Sequence, residues 1–172
     1  MEIVFRPITH TCGAPNADRI PARQPPVAAA DAISVTANPA IGSPMKRTAG
    51  AYQWPQELIH RASVRVNRVK RVGALLGQSP KLFLVPKTDG NTAVDSLVQE
   101  LLDAAEEEGV QVLHFSHYAT IKYQFPIQEI SSVMQVLRDR QGQTSIRTLI
   151  WDIDSQYTGQ MMDLKRLWLK VN

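Results

Sequence analysis

The segment KLFLVPKTDGNTAVDSLVQELLDAAEEEGVQVLHF, residues 81–115, decides the fold of this chain. It opens with the apolar run KLFLVP, which is typical of a strand buried on both faces of a sheet. Thr92 and Asp95 then form a capping box, and apolar residues recur at helical spacing until Gly109 ends the pattern. A second apolar run follows at 110–115. This succession predicts two parallel strands joined by a right-handed helical crossover.

The same alternation continues towards the C-terminus. Pro126 begins a second helical pattern that Gly142 stops, residues 146–151 form a third apolar run, and helical spacing returns from about Gln160 onward. Residues 79–172 are therefore predicted to form a small three-layer α/β domain. Its sheet is expected to be short and mostly parallel, with about three strands.

Two regions precede this predicted domain. Residues 1–53 are predicted to be a flexible arm, because they are rich in alanine and hold seven prolines, which fix φ and remove backbone donors. A short strand at residues 2–5 needs something to pair with it. Residues 54–78 are predicted to be a basic amphipathic helix, because Pro55 suits a first helical position and apolar residues follow every three or four positions.

The charge of the chain is unevenly distributed. Residues 1–87 hold 12 Lys/Arg and 4 Asp/Glu, whereas residues 88–172 hold 7 Lys/Arg and 12 Asp/Glu. The net charge is thus +8 in the first part and −5 in the second. This split predicts that the first half meets something acidic, which is nucleic acid, an acidic protein surface or the chain's own acidic half. The predicted partner-binding residues are Lys46, Arg47, Trp54, Arg61, Arg65, Arg68, Lys70 and Arg71.

Two loops after predicted strands are candidate ligand sites. Asp89-Gly90-Asn91-Thr92 resembles the end of the phosphate loop of flavodoxins and implies a phosphate at a helix N-terminus. Asp89 departs from that pattern, because a carboxylate stands where a hydroxyl faces the phosphate. The alternative is a turn that caps the following helix.

Asp152 and Asp154 follow the third apolar run and resemble the paired aspartates of haloacid-dehalogenase phosphatases and of the Toprim fold, which implies Mg²⁺. The first family carries its pair at the start of the domain, which does not fit here. Toprim domains also need a glutamate after their first strand, and Asp89 is the one available substitute. The alternative metal site is therefore Asp89, Asp152 and Asp154, and the competing interpretation is a solvated strand end.

A complete catalytic set is missing from the sequence. His114 and His117 are three residues apart, which places them on opposite faces of a strand, so His114 is interpreted as a histidine at a strand end. The single cysteine, Cys12, predicts a free thiol in a reducing compartment. No apolar run has the length of a membrane span, and the N-terminus lacks the pattern of a secretory signal.

The leading prediction is a non-enzymatic, cytoplasmic binding protein of bacterial or phage origin without a cofactor, whose basic helix and arm engage an acidic partner in a larger assembly. One alternative is a Mg²⁺-dependent phosphoryl-transfer or nucleotide-binding domain of degenerate Toprim-like or flavodoxin-like type. Another is a secreted effector or secretion-machine component, suggested by the Ala/Pro/Thr-rich front end.

Overall fold

The computed structural model describes residues 1–8, 30–36, 54–63, 66, 68–72, 80–86, 94–115, 127–154 and 158–168. Strands and helices alternate along most of this part of the chain. In chain order the elements are β1 Glu2–Ile8, β2 Ala32–Thr36, α1 Gln56–Ser63, β3 Lys70–Arg71, β4 Lys81–Val85, α2 Val94–Glu107, β5 Val112–Phe115, α3 Ile127–Asp139, β6 Thr148–Asp154 and α4 Thr158–Trp168.

The strands form one mixed sheet in the order β1-β6-β5-β2-β4-β3. Five of them run parallel, and the short strand β3 pairs antiparallel with β4 at one edge. The α/β class and the mostly parallel pairing are confirmed, but the prediction of about three strands is wrong, because the described residues already form six. Two of the additional strands, β1 and β2, come from the segment predicted as an irregular arm.

The pairing partners explain why those two segments form strands. β1 lies beside β6 over its whole length, from Glu2 opposite Thr148 to Ile8 opposite Asp154. β2 lies between β4 and β5 in the middle of the sheet, and its Ala32 and Ile33 are fully buried. Pairing supplies backbone partners that a proline-rich segment lacks when it is considered alone. Residues 9–29 and 37–53 lie outside the described residues.

One face of the sheet, here called the helix face, packs against α2, α3 and α4. Its core joins strand residues such as Leu113, Phe115 and Trp151 to apolar residues of all three helices. Helix α2 matches the prediction, with buried Val94, Leu97, Val98, Leu101, Leu102 and Ala105. Gly109 follows it with a φ of 68°, a left-handed conformation that glycine adopts without strain.

The opposite face, here called the α1 face, carries a smaller apolar core. It is formed by Trp54, Ile59 of α1 and strand residues of β2 and β4, with Val72 next to β3. This core covers the half of the α1 face that belongs to β2, β4 and β3. It also explains why the segment after α1 turns back along β4.

The continuous helix predicted over residues 54–78 is wrong. Helix α1 ends at Ser63, and Lys70 and Arg71 pair with Leu84 and Phe83 of β4. The physical reason is that apolar residues of this segment serve two cores. Val66 packs in the core of the α1 face, whereas Val69 packs in the core of the helix face. Residues three apart on a helix lie on one side of it, so a continuous helix could not place these two valines in cores on opposite faces of the sheet.

Candidate functional site

Strand register brings three polar residues together on the α1 face. Arg6 of β1 lies opposite Asp152 of β6, and His114 of β5 lies opposite Ile150, two residues before Asp152 on the same face. The three belong to neighbouring strands in the order β1-β6-β5. We call them the Arg6–Asp152–His114 cluster.

The carboxylate of Asp152 lies between the two other members of the cluster. Its Oδ2 is 2.8 Å from Nε2 of His114, and its Oδ1 is 3.8 Å from Nε of Arg6. The side chains of His114 and Asp152 are 4% and 10% exposed, whereas that of Arg6 is 22% exposed. A buried carboxylate requires such partners, because desolvation without them is costly. The guanidinium is the member nearest to solvent.

The surroundings of the cluster divide into an apolar and a polar part. Val4 and Ile150 lie on the same face one step towards the amino ends of the strands, and Val4 is 40% exposed. The cluster itself lies towards the carboxyl ends of β1, β5 and β6. In open α/β sheets, ligands bind outside that edge. The arrangement therefore places a partly exposed guanidinium and a buried imidazole near the edge where ligands bind in this architecture.

A magnesium site is not assembled from the described residues. Both oxygens of Asp152 face a nitrogen-bearing side chain rather than a second carboxylate. Asp154 is the last residue of β6, Asp89 lies outside the described residues, and no group of three potential metal ligands occurs in the described ranges. The alternative metal site of Asp89, Asp152 and Asp154 stays a prediction.

Two of the predicted partner-binding arginines form ion pairs within the molecule. Arg71 pairs with Glu107 and Glu108 at the end of α2, and the Nε of Arg68 is 3.5 Å from Glu100. These pairs fasten the β3 edge of the sheet to α2. Part of the positive charge of the first half is therefore matched by acidic residues of the second half.

The other predicted contact residues have different surroundings. Arg61 is exposed on α1, and the Nζ of exposed Lys70 donates to the carbonyl of Ala62 at 3.2 Å. Trp54 is 5% exposed and belongs to the core of the α1 face, so its ring packs inside the protein. Lys46, Arg47 and Arg65 lie outside the described residues, as do the loop of Lys87–Thr92 and His117.

Arg6 is the member of the cluster that the sequence analysis missed. Its signal is the alternation at the start of the chain, where apolar Ile3 and Phe5 point to the helix face and Arg6 points to the other. The sequence predicts a histidine at a strand end for His114, and the structure places its Nε2 2.8 Å from Oδ2 of Asp152. The sequence places these residues far apart, so only strand order could bring them together.

Comparisons with known proteins give a fold but no family. No protein-family model and no curated protein sequence matches the chain. Among solved structures, the macro domain of ganglioside induced differentiation associated protein 2 aligns with a TM-score of 0.61 and 13% identity, covering 97% of this chain and 84% of that one. A structure described as Alphavirus P23pro-zbd aligns with a TM-score of 0.59 and 10% identity, covering 84% of this chain and 22% of that one. This chain therefore has a fold similar to that of a macro domain.

Proposed function

We propose that this protein is a ligand-binding domain that holds a phosphate-bearing nucleotide beside the carboxyl edge of its sheet. The observation that carries the proposal is the Arg6–Asp152–His114 cluster, which joins three parallel strands near that edge. Support from the fold comes from the macro-domain-like neighbour, because the macro domain is a ligand-binding fold associated with ADP-ribose. Specific residues, rather than the fold, must decide the ligand.

The chemistry of the cluster favours an anionic ligand over a metal. The guanidinium of Arg6 presents planar donors that match phosphate oxygens, and Asp152 holds this side chain near the sheet. His114 adds a second polar group, whose Nε2 lies 2.8 Å from the same carboxylate. Asp152 is thus a positioning residue, and Arg6 is the residue expected to meet the ligand.

Isothermal titration of the full chain with ADP-ribose tests this proposal, with ADP and inorganic phosphate as further probes. We expect ADP-ribose to bind and Arg6→Gln to weaken binding about tenfold or more, since hydrogen bonds to charged groups are worth about 1.5–3 kcal/mol. Arg147→Gln is the matched control, because Arg147 is exposed just before β6 at the opposite edge of the sheet. Absence of binding by all three probes, or equal losses in the two variants, contradicts the proposal.

An acidic macromolecule is the second candidate partner. Exposed Arg61 on α1 favours it, since no ion pair holds this side chain among the residues that the structure describes. Fluorescence anisotropy with labelled single-stranded DNA and RNA and with an acidic peptide at low salt tests it. We expect Arg61→Ala to weaken binding and flatten its salt dependence, more than Arg68→Ala does, because Arg68 already faces Glu100. Undetectable binding to all three probes excludes this partner class.

A further inference from the structure

Strand β1 forms one edge of the sheet, with β6 on its inner side. The backbone N–H of Glu2 donates to the carbonyl of Arg147 at 2.7 Å, which fixes the pairing pattern. Alternate residues of a strand direct their backbone groups to opposite sides, so those of Glu2, Val4 and Arg6 face β6. Those of Ile3, Phe5 and Pro7 face away from the sheet.

Two features define what this outer edge can bind. Proline has no N–H, so Pro7 ends the row of outward donors. The Nζ of Lys165 on α4 donates to the carbonyl of Ile3 at 2.7 Å and lies 5.7 Å from the centre of the Phe5 ring. In the part of the chain that the structure describes, no strand pairs with this edge. The edge therefore offers to one short strand the N–H groups of Ile3 and Phe5 and the carbonyl of Phe5, together with the carbonyl of Ile3, which already accepts from Lys165.

We propose that this strand is β1 of a second copy of the chain, paired antiparallel with Val4 at the twofold axis. In that register Ile3 lies opposite Phe5 of the second copy, and their outward N–H and C=O groups form a hydrogen-bonded pair on each side of the axis. The two copies then share one continuous sheet. A twofold contact of this kind uses the same surface on both molecules.

The side chains on the α1 face are complementary in the same register. Val4, the only exposed large hydrophobic residue among those whose side chains the structure describes, lies against Val4 of the second copy. Glu2 lies opposite Arg6 of the second copy, so that an acidic and a basic side chain meet on both sides of the axis. A shift by two residues removes both matches. Apolar contact and charge therefore select one register.

Lys165 limits the strength of this dimer. Its ammonium donates a hydrogen bond to the carbonyl of Ile3. In the dimer, the N–H of Phe5 of the second copy would donate to the same carbonyl. Lysine near a strand edge is a common protection against pairing with other chains. The contact is also short, since Pro7 ends it, so the dimer is expected to be weak and dependent on concentration.

Disulfide cross-linking tests the register directly. Val4→Cys in a Cys12→Ser background places two thiols at the axis, where the Cα atoms of such a pair are about 4.5 Å apart and a disulfide closes readily. Glu2→Cys in the same background is the control, because the two introduced thiols are then about 14 Å apart along the strands. We expect at least tenfold faster dimer formation for Val4→Cys under mild oxidation. Equal rates overturn the proposal.

Sedimentation of the full chain over a range of concentrations provides the second measurement. We expect a weak dimer that Val4→Lys abolishes, that Val4→Thr retains, and that Lys165→Met strengthens about tenfold by releasing the carbonyl of Ile3. Circular dichroism checks that each variant is folded. A chain that stays monomeric up to about 1 mM, both as wild type and as Lys165→Met, overturns the proposal whatever the outcome of the ligand titrations.

Discussion

The two faces of the sheet place opposite demands on neighbouring residues of the same strands. On the helix face, the ring of Trp151 packs against the rings of Phe115 and Phe5, with distances between ring centres of 5.2 Å and 5.7 Å. On the α1 face, the residues next to these in sequence form the Arg6–Asp152–His114 cluster. Each of three adjacent strands thus carries an aromatic side chain on one face and a polar one on the other.

The two faces separate the main hydrophobic core from the polar cluster that is proposed to bind a ligand. The aromatic residues belong to a continuous apolar core that extends over three helices. The core of the α1 face covers the β2, β4 and β3 side, and the polar cluster lies on the other side of that face. Substitutions on the helix face should therefore affect folding first. Substitutions in the cluster should affect ligand binding as well as stability.

The largest expected effect is that of Trp151→Ala. Trp151 is fully buried beside two other aromatic rings, so its removal leaves a cavity and should lower the free energy of unfolding by about 3–5 kcal/mol. Chemical denaturation followed by circular dichroism measures the change. Val4→Ala on the same sheet is the control, because Val4 is 40% exposed, and its effect should stay below about 1 kcal/mol. Similar losses for both variants would refute the distinction between the faces.

A smaller effect is expected from Asp152→Ala. Loss of this carboxylate leaves the buried side chain of His114 without its charged neighbour and releases Arg6, which should cost about 2–3 kcal/mol of unfolding free energy. Asp163→Ala is the matched control, because its ion pair with Arg166 is more than 70% exposed on both sides and contributes little. The same denaturation experiment compares them. If the two variants are equally stable, the cluster is not a structural unit.

The helix-face pattern was accessible from sequence, whereas the cluster was not. Helix α2 could be predicted because its six buried residues follow local helical spacing and Gly109 ends it. β1 could not be predicted with its partner, because the strand that pairs with it lies more than a hundred residues later, at Thr148–Asp154. Predicting the cluster requires both the strand order β1-β6-β5 and the register of each strand, and local periodicity predicts neither of them.

The prediction of a continuous helix over residues 54–78 was wrong for a related reason. The valines and arginines of this segment fit the spacing of one helix, so local periodicity favoured a continuous basic helix over a short edge strand. Tertiary contacts favour the strand instead, because Lys70 and Arg71 pair with β4. Arg68 and Arg71 also form ion pairs with carboxylates of α2. Local propensity is a weak guide where such contacts compete with it.

The smallest expected effects on the free energy of unfolding are those of Arg71→Ala and Arg68→Ala, and they should differ from each other. Arg71 is about one third exposed and contacts Glu107, Glu108 and the carbonyl of Ala104, so Arg71→Ala should cost about 1 kcal/mol. Arg68 is 79% exposed and has one carboxylate partner, so Arg68→Ala should change stability by less than about 0.5 kcal/mol. Denaturation in low and high salt measures the loss of unfolding free energy for each variant. Added salt should reduce the difference between the two losses, because it screens exposed ion pairs. A larger loss for Arg68→Ala would show that the β3 edge is not fastened to α2 through Arg71. It would then be Arg68 and Glu100 that join the basic first half of the chain to its acidic second half.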